Sequence, residues 1–221
     1  MYNPAMTTPS TPEHSLSDLS IRAFLDALAS ATPAPGGGSA AALVAAMGAA
    51  LTAMGAGLTV GRPRYADAQE EMATVLGQAA ALRSALTTAA DADMNAYLVV
   101  MAAYRLPKES ATQKAARAAA IEAAMRGAAT APLAVAERCA ELLDLAGRVA
   151  GRGNPNASGD AAVGALLAYA GLQGAVRNVR INLRSIGDAA FCQAAEEDAA
   201  RLLREGERLL AAALAAADAR G

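Results

Sequence analysis

Asp93 is the side chain of this sequence whose type and setting best suit proton transfer. It precedes Tyr97 and Met101 at helical spacing, in a segment that is otherwise rich in alanine and apolar residues. A carboxylate that faces such a core has a raised pKa and can serve as a general acid or base near neutral pH. The alternative is a solvated carboxylate beside Asp91, and the residues by themselves favour that alternative.

Few other residue types offer themselves for catalysis. His14 is the only histidine and lies in a Pro-rich segment, while Cys139 and Cys192 are isolated cysteines without metal or redox spacing. We therefore expect neither a Ser/His nucleophile nor a metal site. Catalysis would have to use Asp, Glu, Lys, Asn or Ser side chains.

A turn rich in proline and glycine precedes a long apolar run. It reads Pro33-Ala34-Pro35-Gly36-Gly37-Gly38-Ser39 and leads into small apolar residues that continue to Val60. Ser39 is expected to cap the following helix, whose free N–H groups could hold an anionic or strongly polar group. A tight hairpin between two helices is the simpler interpretation, and the spacing alone favours it.

Other polar residues are candidates for ligand contacts. Asn178 and Asn182 are four residues apart, so their amides share one helix face, where they could equally link two helices. Asp160 shares that stripe but lies about 27 Å from Asn178 at 1.5 Å per residue, so only an elongated ligand, or one between two chains, would reach both. Lys108 could have an ordinary structural role at a helix end, and Arg62 and Arg64 could simply lie in a solvated turn.

Composition and charge limit the partners. The chain has 221 residues, of which 54% are hydrophobic and 3% aromatic, and a net charge of -2, which argues against nucleic acid or an anionic membrane as partner. The stretch from residue 27 to 61 carries no charge and is long enough to span a bilayer, but it has few large apolar side chains. We therefore expect a helix buried in a bundle, and a cytoplasmic protein that binds a small ligand or another protein.

The elements that position these side chains are predicted to form an all-α, up-and-down bundle of about six helices. Residues 1–15 are expected to be a disordered tail, and residues 16–221 a single domain. Helix starts are signalled at Ser17 or Ser20, at Ser39, after the turn at 61–65, at the capping box Ser110-x-x-Gln113, near Ala157 and at Asp188.

Two further expectations concern the long helices. The segment from residue 65 to Tyr104 is so long that a break or kink is expected between residues 87 and 93. Because short connections make successive helices alternate in direction, the glycine turn, residues 105–108 and the end of the fifth helix should lie at the same end of the bundle.

Four motifs, in this order, resemble the cyclodeaminase/cyclohydrolase family, which comprises the C-terminal domain of formiminotransferase-cyclodeaminase and stand-alone methenyltetrahydrofolate cyclohydrolases. They are the stretch from Thr32 to Ala42, the step from Asp93-x-x-x-Tyr97 to Arg105-Leu106-Pro107-Lys108, Gly153-Asn154-x-Asn156 with Asp160, and Asn178-Val179-x-x-Asn182. The chain departs from the family pattern at Gly57, where relatives usually have Asn, and at Gly159, where they often have Ser.

The resemblance implies a homodimer with a folate pocket at or near the subunit contact, and no cofactor beyond the tetrahydrofolate substrate. Asp93 and Lys108 would be the catalytic residues. The residues implied to bind substrate are Gly37, Gly38, Ser39, Asn154, Asp160, Asn178, Asn182, Arg62 and Arg64.

The implied reaction is hydrolysis of 5,10-methenyltetrahydrofolate to 10-formyltetrahydrofolate, and its reverse, with Asp93 as general acid and base. A formiminotetrahydrofolate cyclodeaminase that releases ammonia is the alternative. A further alternative is a protein that is not an enzyme, namely a helical binding or assembly module.

Overall fold

The computed structural model describes residues 15–220, which fold as six α-helices joined by short connections. The helices are α1 (Ile21–Leu28), α2 (Gly37–Gly57), α3 (Gln69–Tyr104), α4 (Ala111–Arg152), α5 (Ser158–Leu183) and α6 (Ala189–Asp218). Short 3-10 helices occupy Leu16–Asp18, Pro63–Ala68 and Pro155–Ala157. The predicted all-α bundle is confirmed. The predicted tail falls, apart from Ser15, outside the described residues and stays a prediction.

Local capping signals set several helix starts where the sequence indicates them. The Ser20 hydroxyl accepts a hydrogen bond from the Ala23 amide at the start of α1. Ser110 and Gln113 form both halves of a capping box at the start of α4. The Asp188 carboxylate accepts from two amides in the first turn of α6. Each of these contacts satisfies N–H groups that have no partner within the helix.

Ser39 does not cap α2, so that expectation is wrong. Gly36 is the N-cap residue and makes no side-chain cap bond, whereas Ser39 lies inside the first turn with its hydroxyl turned away from the helix. The expected break in α3 is also wrong. Residues 69–104 form one continuous helix, in which Leu86 and Ala90 are completely buried against the bundle. Packing along its length thus maintains a helix of about 54 Å.

Helix α2 lies within the bundle, packed against α3, α5 and α4. Its buried residues are all Gly, Ala, Ser or Thr, which allow neighbouring backbones to approach closely. At Gly48 an added Cβ would lie 2.7 Å from the Gly164 carbonyl oxygen of α5, so the two helices touch through glycines. By length and composition α2 could cross a membrane, but half of its most apolar window is buried inside the bundle.

Helices α3 and α4 extend past the start of α2 and the end of α5. The first turn of α2 lies beside Asp93, and Asn182, one residue before α5 ends, contacts the Ala128 carbonyl of α4. The parts of α3 and α4 beyond these points, residues 95–121, form a helical hairpin that we call the overhang. Arg117 fastens it by donating to the Tyr104 carbonyl at its tip.

Candidate active site

The Asp93 carboxylate lies against the first turn of α2. A Cβ added at Gly38 would overlap both carboxylate oxygens, so the space that a side chain would take at residue 38 is filled by Asp93. The α2 N-terminus, which the sequence marked as a place for an anionic group, is thus occupied by a carboxylate of the same chain. A negative charge at this position is favoured by the helix dipole.

Ser39 holds the carboxylate from the other side. Its hydroxyl oxygen lies 3.0 Å from Asp93 Oδ2 and 3.0 Å from the Ala90 carbonyl oxygen, one turn earlier on α3. Ser39 is completely buried, and its backbone amide also hydrogen-bonds Asp93. The glycine turn and the α3 carboxylate, 54 residues apart in the chain, therefore form one constellation.

Burial raises the pKa of the Asp93 carboxyl above its ordinary value of 3.8. The hydrogen bonds from the Ser39 side chain and backbone act in the opposite direction and lower that pKa, but burial is the larger influence. A carboxyl whose pKa is raised in this way can exchange protons closer to neutrality than an exposed one. The general acid and base role expected for Asp93 is therefore chemically consistent with its surroundings.

Asn178 and Asn182 lie at the same end of the bundle as Asp93. Asn178 Nδ2 donates to the Gly174 carbonyl at 2.9 Å and lies beside Gly37, where an added Cβ would be 3.8 Å away. Asn182 Nδ2 donates to the Ala128 carbonyl at 2.6 Å, which ties α5 to α4. Of the sequence-predicted residues, Gly37, Gly38, Ser39, Asp93, Asn178 and Asn182 are thus brought to one end of the molecule.

Lys108 is not brought to Asp93 within one chain. It lies at the tip of the overhang, and the eleven residues from Asp93 to Tyr104 alone span about 16 Å at 1.5 Å per residue. Lys108 is exposed, and its backbone amide donates to the Glu109 carboxylate.

The other predicted residues, Arg62, Arg64, Asn154 and Asp160, lie at the opposite end of α2, about 30 Å away along this 21-residue helix. Arg64 lines a shallow cleft there of about 300 Å³, together with Arg152 and Arg220. Arg62 and Asp160 are exposed. No single compact ligand could contact Asp93 and these residues on the same chain.

Asn154 joins three chain segments. Its side-chain oxygen accepts from the Tyr65 hydroxyl at 2.8 Å and from the Asn156 amide at 3.0 Å, and its own amide donates to Thr59 Oγ1 at 2.8 Å. The Gly153-Asn154-x-Asn156 motif therefore fastens the connection between α4 and α5 to the end of α2. A substrate contact at Asn154 stays a prediction.

Two structural contacts of the site were missed from the sequence. The Ala90 carbonyl accepts from Ser39, and a backbone group leaves no trace in a residue pattern. Asp91, considered only as a neighbour of Asp93, accepts from the Ser15 hydroxyl at 2.5 Å and from the Leu16 amide at 2.6 Å. These bonds fasten the described start of the chain to the turn of α3 that carries Asp93.

The residues described supply no obvious metal site. Between residues 15 and 220, no three His, Cys, Asp or Glu side chains are grouped as a bound metal ion would require. Cys139 is buried, and burial raises the pKa of its thiol to about 12. The absence of a cofactor other than substrate stays a prediction.

The fold and the sequence together identify the family. The family model for formiminotransferase-cyclodeaminase matches residues 20–201, and the chain belongs to this family. It is 44% identical over 189 residues to a methenyltetrahydrofolate cyclohydrolase from Methylorubrum extorquens, a match that covers 86% of this chain and 91% of the relative.

Two further similarities extend this result. The chain is 35% identical over 211 residues to the formimidoyltransferase-cyclodeaminase of Rattus norvegicus, covering 96% of this chain but 39% of that longer protein. The crystal structure of a formiminotetrahydrofolate cyclodeaminase from Thermotoga maritima superposes with a TM-score of 0.83 at 28% identity, covering 92% of this chain and 98% of that one. The sequence-based assignment to this family is therefore confirmed.

Proposed function

We propose that this chain is a folate one-carbon enzyme that hydrolyses 5,10-methenyltetrahydrofolate to 10-formyltetrahydrofolate and catalyses the reverse reaction. The observation that carries the proposal is the Asp93 carboxylate, with its pKa raised by burial, held between Gly38 and Ser39. It occurs in a chain 44% identical to a methenyltetrahydrofolate cyclohydrolase.

The chemistry needs little beyond one proton-transferring group. The bridging carbon of the substrate belongs to a cationic amidinium and is already electrophilic. Asp93 takes a proton from the attacking water as the carbon–oxygen bond forms, then donates it to N5 as the carbon–N5 bond breaks. The remaining hydroxyl proton goes to solvent as the formyl group forms, and the ionised carboxylate also favours the cationic substrate.

The amides near Asp93 are suited to orient the folate. Asn178 Nδ2 is engaged within α5 and Asn182 Nδ2 with α4, which leaves their side-chain oxygens as acceptors for N–H donors of the substrate. At Gly37 only the Asn178 amide lies near an added Cβ, so the ligand can approach the backbone there, whereas the space beside Gly38 is taken by Asp93. Contributed by a second copy of the chain, Lys108, Arg62 or Arg64 would meet the glutamate carboxylates, which are negatively charged.

We further propose that two copies of the chain form a homodimer, with the folate pocket near their contact. A stripe on α2 exposes the large apolar residues Met47, Met54 and Leu58, and α5 exposes Val163 and Leu166. Helical geometry, with Gly48 facing Gly164, places both stripes on the same side of the α2–α5 pair. A contiguous apolar face of this kind is typical of protein interfaces. We call it the α2–α5 face.

A partner chain would also resolve the separation of the predicted site residues. Arg62, Arg64, Asn154 and Asp160 lie too far from Asp93 to share a compact ligand with it in one chain, and a second copy could bring its own set nearer. We propose no nucleic-acid or membrane partner and a cytoplasmic location, in keeping with the net charge of -2 and the packing of α2.

A cyclodeaminase is the second candidate function. The match to a formiminotetrahydrofolate cyclodeaminase structure over nearly its whole length favours it. In this reaction N10 attacks the formimino carbon carried by N5, and ammonia leaves with a proton supplied by Asp93. The same constellation suits both reactions, so a direct assay must distinguish them.

The test offers both substrates to the purified protein. Accelerated loss of the near-ultraviolet absorbance of 5,10-methenyltetrahydrofolate supports the cyclohydrolase. Growth of that absorbance with release of ammonia from 5-formiminotetrahydrofolate supports the cyclodeaminase. If folded protein changed neither substrate, both proposed reactions would be contradicted. The remaining interpretation would be a non-catalytic binding module.

Asp93→Asn tests the catalytic assignment. The variant keeps the side-chain shape but cannot exchange protons, so we expect turnover to fall by about 100-fold or more, with folate binding largely retained. Asp91→Asn is the matched control, because its amide oxygen can still accept from Leu16 and it lies two residues away on the same helix. Near-normal turnover of Asp93→Asn would reject Asp93 as the catalyst.

A further inference from the structure

The Ser39 hydroxyl has one proton and two acceptors. Asp93 Oδ2 and the Ala90 carbonyl oxygen each lie 3.0 Å from Ser39 Oγ, and Ser39 has no solvent-exposed surface. A hydroxyl donates only one hydrogen bond at a time and rotates freely to suit its surroundings. Two acceptors at equal distance therefore compete for the same proton.

The charge on Asp93 decides which acceptor is preferred. An ionised carboxylate is a stronger acceptor than a backbone carbonyl, because hydrogen bonds to charged groups are stronger than those between neutral groups. Once Asp93 is protonated, this advantage is lost. The Ala90 carbonyl then becomes a competitive acceptor, and the protonated carboxyl can itself donate to Ser39 Oγ. The buried hydroxyl has a partner in both states, which avoids the penalty for an unpaired buried polar group.

We propose that Ser39 is a positioning residue whose hydroxyl rotates between Asp93 Oδ2 and the Ala90 carbonyl each time Asp93 gains or loses its proton. No covalent bond of Ser39 changes; the proton that Asp93 accepts comes from the attacking water and leaves to N5. The proposal rests on the proposed function, in which Asp93 is base and then acid. It assigns Ser39 to the carboxylate and not to the substrate.

The electrostatic setting makes this hydroxyl the main polar influence on Asp93. Helix α2 carries no charged residue, and burial and Ser39 account for the displacement of the Asp93 pKa. On α3, Asp91 is engaged with Ser15 and Leu16, and Tyr97 lies one turn further on. Near the Asp93 end of the bundle, charged residues of α4, α5 and α6 form the ion pairs Glu122–Arg126, Arg126–Asp188 and Arg180–Glu196. Arg177 and Arg184, towards the end of α5, are exposed.

The test compares Ser39→Ala with Ser39→Cys. Alanine removes the hydroxyl, whereas cysteine keeps a side chain of similar shape with a weaker donor. Thr52→Ala is the matched control, because Thr52 is also a completely buried hydroxyl on α2 but donates only to the Gly48 carbonyl. Each variant is assayed with 5,10-methenyltetrahydrofolate across a range of pH, after circular dichroism has shown that it is folded.

For Ser39→Ala we expect kcat to fall about tenfold while KM stays within about twofold. The acidic limb of the kcat profile, which reports ionisation of Asp93, should move to higher pH by about one unit, because a hydrogen bond that lowers its pKa is lost. Ser39→Cys should lie between wild type and Ser39→Ala, and Thr52→Ala should shift neither quantity. A raised KM with an unmoved limb would make Ser39 a substrate contact and overturn the proposal, as would an unchanged profile.

A second measurement needs no activity. The Asp93 carboxyl can be titrated by 13C NMR of protein labelled at aspartate, with the signal assigned through Asp93→Asn. An upward displacement of its pKa in Ser39→Ala would support the coupling even if neither folate were turned over. An unchanged pKa would overturn the coupling even in an active enzyme. Failure of the proposed function and failure of this inference are therefore distinguishable.

Discussion

Gly38 and Asp93 constrain one another across two helices. The carboxylate occupies the volume that any side chain at residue 38 would need, and Ser39 then holds it in place. The residue pattern placed both on helices but could not show that they meet, because their contact depends on how α2 and α3 are aligned. Gly38 thus contributes to the site by leaving room for the Asp93 carboxylate.

Gly38→Ala tests this constraint. The added methyl group would overlap the Asp93 carboxylate, so we expect the free energy of unfolding to fall by about 1 to 3 kcal/mol and turnover to fall with it. In an Asp93→Ala background the same substitution should destabilise the protein much less, because the obstructing group is gone. Denaturant unfolding of the four proteins measures the difference. Equal losses in both backgrounds would show that the carboxylate is not the obstacle.

Burial of Asp93 also predicts a dependence of stability on pH. Because the native pKa is raised above 3.8, the native state retains a proton that the unfolded state releases, so this group's contribution to stability falls as pH rises through the window from 3.8 to the native pKa. Asp93→Asn lacks this effect. Its unfolding free energy relative to wild type should rise across that window and then level off. All samples are measured at the same protein concentration, because the apparent stability of a dimer depends on concentration. A difference in unfolding free energy between the two proteins that did not vary with pH would contradict the raised pKa.

Glycines have opposite roles at different positions of the long helices. An added Cβ at Gly48 would meet the Gly164 carbonyl oxygen at 2.7 Å and the Ala168 amide at 3.2 Å, both of them backbone atoms that cannot rotate away. At Gly77 on α3 and Gly127 on α4, nothing lies within 4 Å of an added Cβ. The first position maintains the distance between α2 and α5; the other two only weaken their helices.

Alanine substitutions should separate these two roles. Gly48→Ala is expected to lower the free energy of unfolding by about 1 to 3 kcal/mol, because α2 and α5 must move apart. Gly77→Ala and Gly127→Ala should raise it by about 0.5 to 1 kcal/mol each, since alanine favours the helix more than glycine does. Chemical denaturation measures all three. Stabilisation by Gly48→Ala would mean that the two helices are not in close contact there.

Helix boundaries were predictable where a local signal sets them. Ser20, Ser110 and Asp188 each bond amides within three residues, so the sequence contains both partners of the contact. The continuity of α3 was not predictable, because it depends on burial of Leu86 and Ala90 against other helices. Ser39 was misassigned for the same reason, since a serine at a helix start usually caps it, and its real partners lie on another helix.

At the scale of the molecule, the predicted site residues divide into separate groups. Asp93 and the two asparagines share one end with the glycine turn, whereas the arginines and Asp160 lie about 30 Å away and Lys108 lies at the tip of the overhang. Motif order along the chain gave the family but not this distribution, which follows from the unequal lengths of α2, α3 and α4. A second copy of the chain is the simplest way to bring the groups together.

Substitutions on the α2–α5 face test the proposed dimer. Met54→Glu and Leu166→Glu place charges on an apolar surface, so we expect each to shift the protein from dimer to monomer in sedimentation analysis and to reduce turnover. Ile21→Glu is the control, because Ile21 is also a large apolar residue, 82% exposed, but belongs to α1 and not to the residues that define this face. Dissociation by Ile21→Glu with an intact Met54→Glu dimer would place the contact elsewhere.

The bonds from Ser15 and Leu16 to Asp91 bear on how the protein can be shortened. A version that began after Leu16 would lose both donors and leave the Asp91 carboxylate, two residues from Asp93, without these hydrogen bonds. The start of the chain would then no longer be fastened to the turn of α3 that carries Asp93. Trimmed versions made for crystallisation or immobilisation should therefore begin before Ser15. Attaching the protein to a support through the end of α6 would leave this turn of α3 undisturbed.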